Sequence, residues 1–214
     1  NGIRSEFVYR AQADDPDPVN ILPDYCFAQA LLYQGFIRAE PLTASALRAR
    51  PMWDILGDYG VPSGLLNWPL TQPAQIARGF LISDGFDEAT SSPIRSGDPR
   101  AGDPTSAVII AREVFDRWQA APPEDVLSLV GPSEPRPAGL RRARWDRAYA
   151  ETEAELTNLF APSHTALRLQ AVDEFGHAHL LDAQPDLFGE VRGTDPPRSV
   201  LDRYYAYLDS QVAR

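Results

Sequence analysis

Lysine is absent from this chain, and cysteine, methionine and histidine are nearly so: one Cys (Cys26), one Met (Met52) and three His. A single cysteine excludes a disulfide framework and any cysteine-cluster metal site. The missing lysine leaves Arg as the only cation, 20 against 30 carboxylates, for a formal charge of −10 and an isoelectric point near 4.7. Nucleic-acid affinity rests on neutralising phosphates with basic side chains. An acidic surface with no basic run excludes a nucleic-acid duplex as partner and disfavours an anionic membrane. No uncharged apolar run approaches the ~18–20 residues of a membrane span. Also missing are G-x-x-x-x-G-K-[ST], G-x-G-x-x-G and G-x-S-x-G, the phosphate loop, the dinucleotide turn and the serine elbow.

What is present is ordinary globular composition, 43% hydrophobic and 23% charged over 214 residues. A chain of this length buries roughly 70% of its unfolded surface and needs no staples. It opens on Asn1 with no charged-then-apolar leader, so its compartment is unknown. Its last stretch, Ser199 to Arg214, is a helical pattern with no Gly, Asn or Pro to stop it. Val200, Tyr204, Tyr207 and Leu208 share one stripe, flanked by Leu201 and Tyr205. The two ends together lead us to expect a single partial domain over 1–214, incomplete at both ends.

The elements read as α/β. Residues 8–22 are rich in Asp and Pro and are expected to be loop. Asp24 to Phe36 has helical spacing and ends at Gly35. Pro51 is expected at the first helical position, where its missing N–H has no partner anyway. Met52, Trp53, Leu56 and Tyr59 then line one face, and Gly60 supplies the stop. Val61 to Trp68 and Gly79 to Ser83 read as buried strands, and helix, glycine, apolar strand is the grammar of an α/β sheet. Residues 85–104 and 131–138 read as loop. Ala107 to Trp118 is expected to be helical, and Arg141 to Phe160 a long helix whose charge forms a solvated face. Thr165 to Val172 reads as a strand feeding directly into Asp173, with His164 ahead of it.

The informative stretch is Val172-Asp-Glu-Phe-Gly-His-Ala-His-Leu180. Open α/β sheets place ligand sites at the carboxyl ends of their strands. His177 lies four residues beyond Asp173 and returns to the same face if the chain turns helically. The two could then share one metal, each donor ~2.0–2.2 Å from it. Gly176 would let the backbone approach closely before the ligand. The spacing alone leaves a second reading open, an Asp capping a helix N-terminus beside a surface His. A zinc site needs three or four ligands, and only His179 and scattered acids remain to supply them.

Four pieces in order carry a resemblance. Arg50-Pro-Met-Trp-Asp-Ile-Leu-Gly-Asp-Tyr-Gly through Asn67-Trp-Pro-Leu-Thr-Gln-Pro73 is followed by Gly79-Phe-Leu-Ile-Ser-Asp84, Asp173-Glu-Phe-Gly-His177 and Tyr204-Tyr-Ala-Tyr-Leu-Asp209. Together they resemble the type I phosphodiesterase/nucleotide pyrophosphatase branch of the alkaline phosphatase superfamily. Gly2 to Phe7 also resembles the segment after that family's nucleophile, whereas residues 85–160 match nothing in it and could form a cap or insert.

The resemblance implies a mostly parallel sheet flanked by helices and two divalent metal ions, usually zinc. Asp173 and His177 would be ligands of one metal. The Thr or Ser nucleophile, an N-terminal Asp, a distant His and a late Asp-His pair have no counterpart in this chain. The intact parent would hydrolyse a small-molecule phosphate ester or nucleotide through a phosphoryl or nucleotidyl enzyme. By itself this segment is expected to be inactive and, with a lone carboxylate and imidazole, to hold zinc only weakly, so that no metal is expected bound to it. Trp68 and Thr71 fall in a W-x-x-T-x-P turn, where packing is one role and substrate contact another. The alternative to a hydrolase segment is a non-catalytic binding or interaction module that keeps the fold.

Overall fold

The computed structural model describes residues 7–11, 26–76, 78–86, 101–120, 124–129, 140–184 and 200–212. The expected loops at 12–22, 87–100 and 131–138, the helix start at Asp24, and Gly2 to Glu6 of the resemblance lie outside the described residues.

The chain is mixed α/β. β1 (Phe7–Ala11) pairs antiparallel with β2 (Ile37–Pro41), with Tyr9 opposite Ala39. This corrects the loop expected from residue 8: the Asp and Pro that argued for it begin only after Ala11, and Phe-Val-Tyr is a good strand sequence. Between these strands runs α1 (Cys26–Tyr33). It ends at Gly35, where Phe36 N–H reaches Leu31 O and Gly35 N–H reaches Leu32 O, each at 3.0 Å. α2 (Met52–Asp58) ends the same way at Gly60: Val61 N–H bonds Leu56 O and Gly60 N–H bonds Gly57 O. This double bond pattern closes a helix end. Pro51 sits just ahead of α2 in extended conformation, one place earlier than expected. Of the predicted α2 face, Trp53 and Leu56 turn inward, whereas Met52 and Tyr59 are 60% and 82% exposed.

A four-stranded sheet follows, in the order β5-β4-β3-β6. β3 (Ser63–Trp68) is central. It runs parallel to β4 (Gly79–Ser83), Leu65 facing Leu81, and parallel to β6 (His164–Leu167), Leu65 facing Ala166 and Leu66 facing Leu167. The Leu65–Leu66 and Leu167 segments thus lie side by side and parallel. β5 (Gly102–Asp103) is antiparallel to β4, so the sheet is mixed.

Period-two alternation sends consecutive residues to opposite faces. Leu66, Phe80 and Ile82 meet α3 (Thr105–Ala120) and α5 (Leu140–Phe160), with Phe115, Tyr149 and Leu156 at the centre. Leu65 and Leu81 meet Ala74, Trp53 and Ile76 on the other face. Residues 101–120 and 140–160 thus pack directly on the sheet. Short α4 (Glu124–Leu127), α6 (Ala171–Ala183) and α7 (Val200–Val212) complete the fold. A third cluster joins Phe175 and Ala183 of α6 to Val200, Leu201, Tyr204 and Tyr207 of α7. Tyr205, expected to flank that stripe, is 54% exposed.

The charge on α5 keeps largely to a partly exposed face, tied to its neighbours, and Asp146 is the exception. Arg117 of α3 bridges to Glu151 and Glu155 at 2.6 and 2.8 Å, Arg142 reaches Glu174 of α6 at 3.0 Å, and Asp146 is buried at 3% exposure.

Candidate metal pair on helix α6

The strand expected to run to Val172 stops at Leu167, and Asp173 lies in the first turn of α6. The physical reason is Asp146. Its carboxylate, delivered from α5, accepts the backbone N–H of Gln170 at 2.9 Å and of Ala171 at 2.8 Å. Free N–H groups at a helix start need acceptors, and Gln170, the residue preceding the helix, supplies none from its own side chain. Tyr204 of α7 donates its hydroxyl to the same carboxylate at 3.2 Å. Burial pushes the Asp146 pKa up to about 6, against the lowering effect of the two N–H donors and the Tyr204 hydroxyl. Burial, and after it the Asp146 carboxylate, drive the Tyr204 phenol well above its ordinary range.

Once α6 is helical, the 3.6-residue period sorts the motif. Ala171, Phe175, His179 and Ala183 face inward. Phe175 stacks on Tyr204 at 4.2 Å between centroids and 6° between planes, and the His179 ring lies 5.8 Å from Phe175. His179 is 7% exposed on the buried face and so does not join Asp173 and His177. Glu174 is tied to Arg142.

Asp173 and His177 point to solvent, each 80% exposed, with Asp173 Oδ1 3.5 Å from His177 Nε2. The i,i+4 spacing thus converges, but from a helix surface rather than from a strand end. Gly176 between them has open space where a Cβ would go, so no close backbone approach requires it. Among the described residues no three His, Cys, Asp or Glu side chains come together as a metal-holding group. His164 opens β6 opposite Ser63 rather than preceding the strand, and its Nε2 is buried without a hydrogen-bond partner.

The W-x-x-T-x-P turn and the following Ser-Asp interlock at the carboxyl ends of β3 and β4. Asp84 accepts Leu70 N–H at 2.8 Å through Oδ2. Thr71 donates its hydroxyl to Trp68 O at 2.7 Å, and its Oγ1 accepts Asp84 N–H at 3.1 Å. Asn67 and Leu70 hold φ of 55° and 60°. Asn tolerates that region, whereas a bulky Leu there is an outlier, held by the Asp84 bond. Asn67 also donates Nδ2 to Arg168 O at 3.0 Å, which links the ends of β3 and β6. Thr71 is therefore a structural clamp, while Trp68 stays 40% exposed. Sequence reading missed Asp146 and Asp84 as organising carboxylates; the signal was Asp84 following a buried strand within reach of a turn.

No protein-family description, no curated protein and no solved structure matches this chain. Among the described residues no helix is long and apolar enough to cross a membrane.

Proposed function

We propose that the chain is a segment of a metal-dependent phosphoester hydrolase of the phosphodiesterase/nucleotide pyrophosphatase type, in which Asp173 and His177 hold one divalent metal. The observation that carries this reading is the 3.5 Å separation of Asp173 Oδ1 and His177 Nε2. With metal–ligand arms of about 2.1 Å, that gap subtends about 110°, the angle between two ligands of tetrahedral zinc. A carboxylate oxygen and an imidazole nitrogen are also the right donor types for that ion.

When bound, zinc would supply Lewis acidity toward a phosphoryl oxygen and a low pKa for bound water. Asp173 contributes negative charge and fixes the direction from which the imidazole is approached. His177 binds a metal through a lone pair of its neutral ring, so protons compete with the metal for it. The remaining ligands and the nucleophile belong, on this reading, to the parent outside these 214 residues. The α/β sheet with parallel β3, β4 and β6 is consistent with the expected architecture.

A second reading, a binding module without chemistry, is favoured by the 80% exposure of both side chains. A zinc titration followed by the histidine ring resonances separates them. The hydrolase reading expects weak one-site binding that shifts His177, vanishes in Asp173→Asn and persists in His164→Ala. No His177 response at millimolar zinc, or a response at His164 or His179 instead, overturns it. The chain alone should show no turnover of bis(4-nitrophenyl) phosphate. In the parent, loss of either ligand should cost more than the ~10–100-fold typical of a residue that merely supports a ligand.

A further inference from the structure

A different pocket, remote in sequence from the Asp173–His177 pair, lies on the sheet face that carries α2. It measures about 490 Å3 and opens between the Ala44–Ala46 turn, the start of α2 and the β3–β4 connection. Small-molecule pockets span ~300–1,000 Å3 and combine an apolar lining with a few polar groups. Here Leu70 and Leu81, each 1% exposed, form the floor, with half-buried Trp53 beside them.

The walls are fixed by hydrogen bonds. Ala44 N–H donates to Gln72 O at 2.6 Å and ties the segment before α2 to the β3–β4 connection. Leu70 is held in its left-handed conformation by Asp84. Its backbone keeps this conformation at the pocket floor because bonds impose it, against the backbone's own preference. Such a cavity is preformed, and a ligand entering it spends little free energy on ordering it.

Two arginines border the opening, and they differ. Arg50 is engaged, Nη2 lying 2.8 Å from Asp58 Oδ2 and 3.3 Å from Asp54 O. Arg48 lines the same pocket and makes no hydrogen bond or ion pair with any described residue. In a chain with 30 carboxylates for 20 arginines, Arg48 stands exposed beside an apolar floor with its guanidinium available to an anion. Asp54 lines the α2 side and offers an acceptor.

We propose that this pocket binds a small amphiphilic organic anion. Its flat apolar body lies over Leu70, Leu81 and Trp53, its anionic group meets Arg48, and an N–H or O–H donor faces Asp54. No covalent step is involved, and the site stands whether or not Asp173 and His177 bind a metal.

Two dyes of one shape test it. 8-Anilinonaphthalene-1-sulfonate carries an apolar body, an N–H and an anion; N-phenyl-1-naphthylamine lacks only the anion. By fluorescence titration the sulfonate should bind once per chain. Arg48→Glu should weaken it by about tenfold or more, the scale of one hydrogen bond to a charged group, and leave the neutral dye within about twofold. Arg48→Gln should fall between. Ala49→Trp, which plants an indole at the rim, should weaken both dyes. Arg48 is exposed and unpaired among the described residues, so circular dichroism of its variants should match the parent chain. Sulfonate binding unchanged in Arg48→Glu, equal losses for both dyes there, or indifference to Ala49→Trp would each overturn the assignment.

Discussion

The Asp146 carboxylate accepts the Ala171 N–H at 2.8 Å across 25 residues of sequence, so α6 is capped by a neighbouring helix rather than by its own preceding residue. The arrangement sets an ionisable group against burial, and its sign can be worked out. Its folded pKa of about 6 lies above the ordinary 3.8. The folded state therefore holds more protons than the unfolded one between about pH 4 and 6, and stability from this group falls as pH rises through that window. The Asp146→Asn variant lacks the titration. In urea melts, the stability of the parent chain minus that of the variant should decline from pH 4 to 6, by up to about 1.4 kcal/mol per pH unit, and level off above. A difference that climbs with pH would show that the hydrogen bonds outweigh desolvation.

Thr71→Val keeps the shape of the turn and removes its clamp. Trp68 O loses its donor and Asp84 N–H its acceptor. Each group left unmatched beside a buried strand end costs roughly 1–3 kcal/mol. We expect a loss of about 2 kcal/mol in chemical denaturation, with a changed environment for Trp68 in its fluorescence. A neutral result would mean that water replaces the hydroxyl without penalty.

Two glycines should respond in opposite directions to alanine. A Cβ on Gly79, where φ is +104°, would lie 2.0 Å from Ser63 O, and backbone cannot yield. Gly79→Ala should therefore cost about 2–4 kcal/mol. Gly176 sits inside α6 with nothing within 4 Å. Gly176→Ala should raise stability by about 0.5–1 kcal/mol, the gain from helix propensity. Thermal melts of both variants decide it, and the outcome is contradicted if Gly176→Ala proves the more damaging.

Phe175→Ala removes a fully buried ring stacked on Tyr204. Deletions of this kind cost about 3–5 kcal/mol. Because Tyr204 also donates to Asp146, the loss should spread to the start of α6, seen as faster amide exchange at Gln170 and Ala171 than a simple cavity would give. Unchanged protection there would confine Phe175 to packing.

Much of this fold was legible where local chemistry decides. Gly35 and Gly60 marked helix ends, Leu65–Leu66 and Phe80–Ile82 marked buried strands, and the Val200-Tyr204-Tyr207 stripe marked a packed helix. The misreadings came where a distant residue decides. Thr165 to Val172 looked like one strand because nothing nearby in sequence announces that Asp146 will turn Gln170 and Ala171 into a helix start. The D-x-x-x-H spacing correctly brought Asp173 and His177 together, since i,i+4 geometry is local. Its address in the sheet was not local, and neither was the fate of His179. The antiparallel β1–β2 pair went unseen because five-residue strands beside a Pro-rich stretch carry little signal of their own.

The two most apolar strands, β3 and β4, are the segments most apt to recruit another chain, and both are interior. Among the described residues, what shields β4 is β5, two residues long. It is held by Ser83 N–H to Ala101 O at 3.0 Å and by Asp103, whose carboxylate receives Ile76 N–H at 3.1 Å. Short edge strands are poor templates for cross-chain pairing. Lifting β5 away would bare the backbone of Leu81 and Ile82 as an open edge, so among the described residues the guard of this sheet against cross-chain pairing is a few hydrogen bonds at its rim.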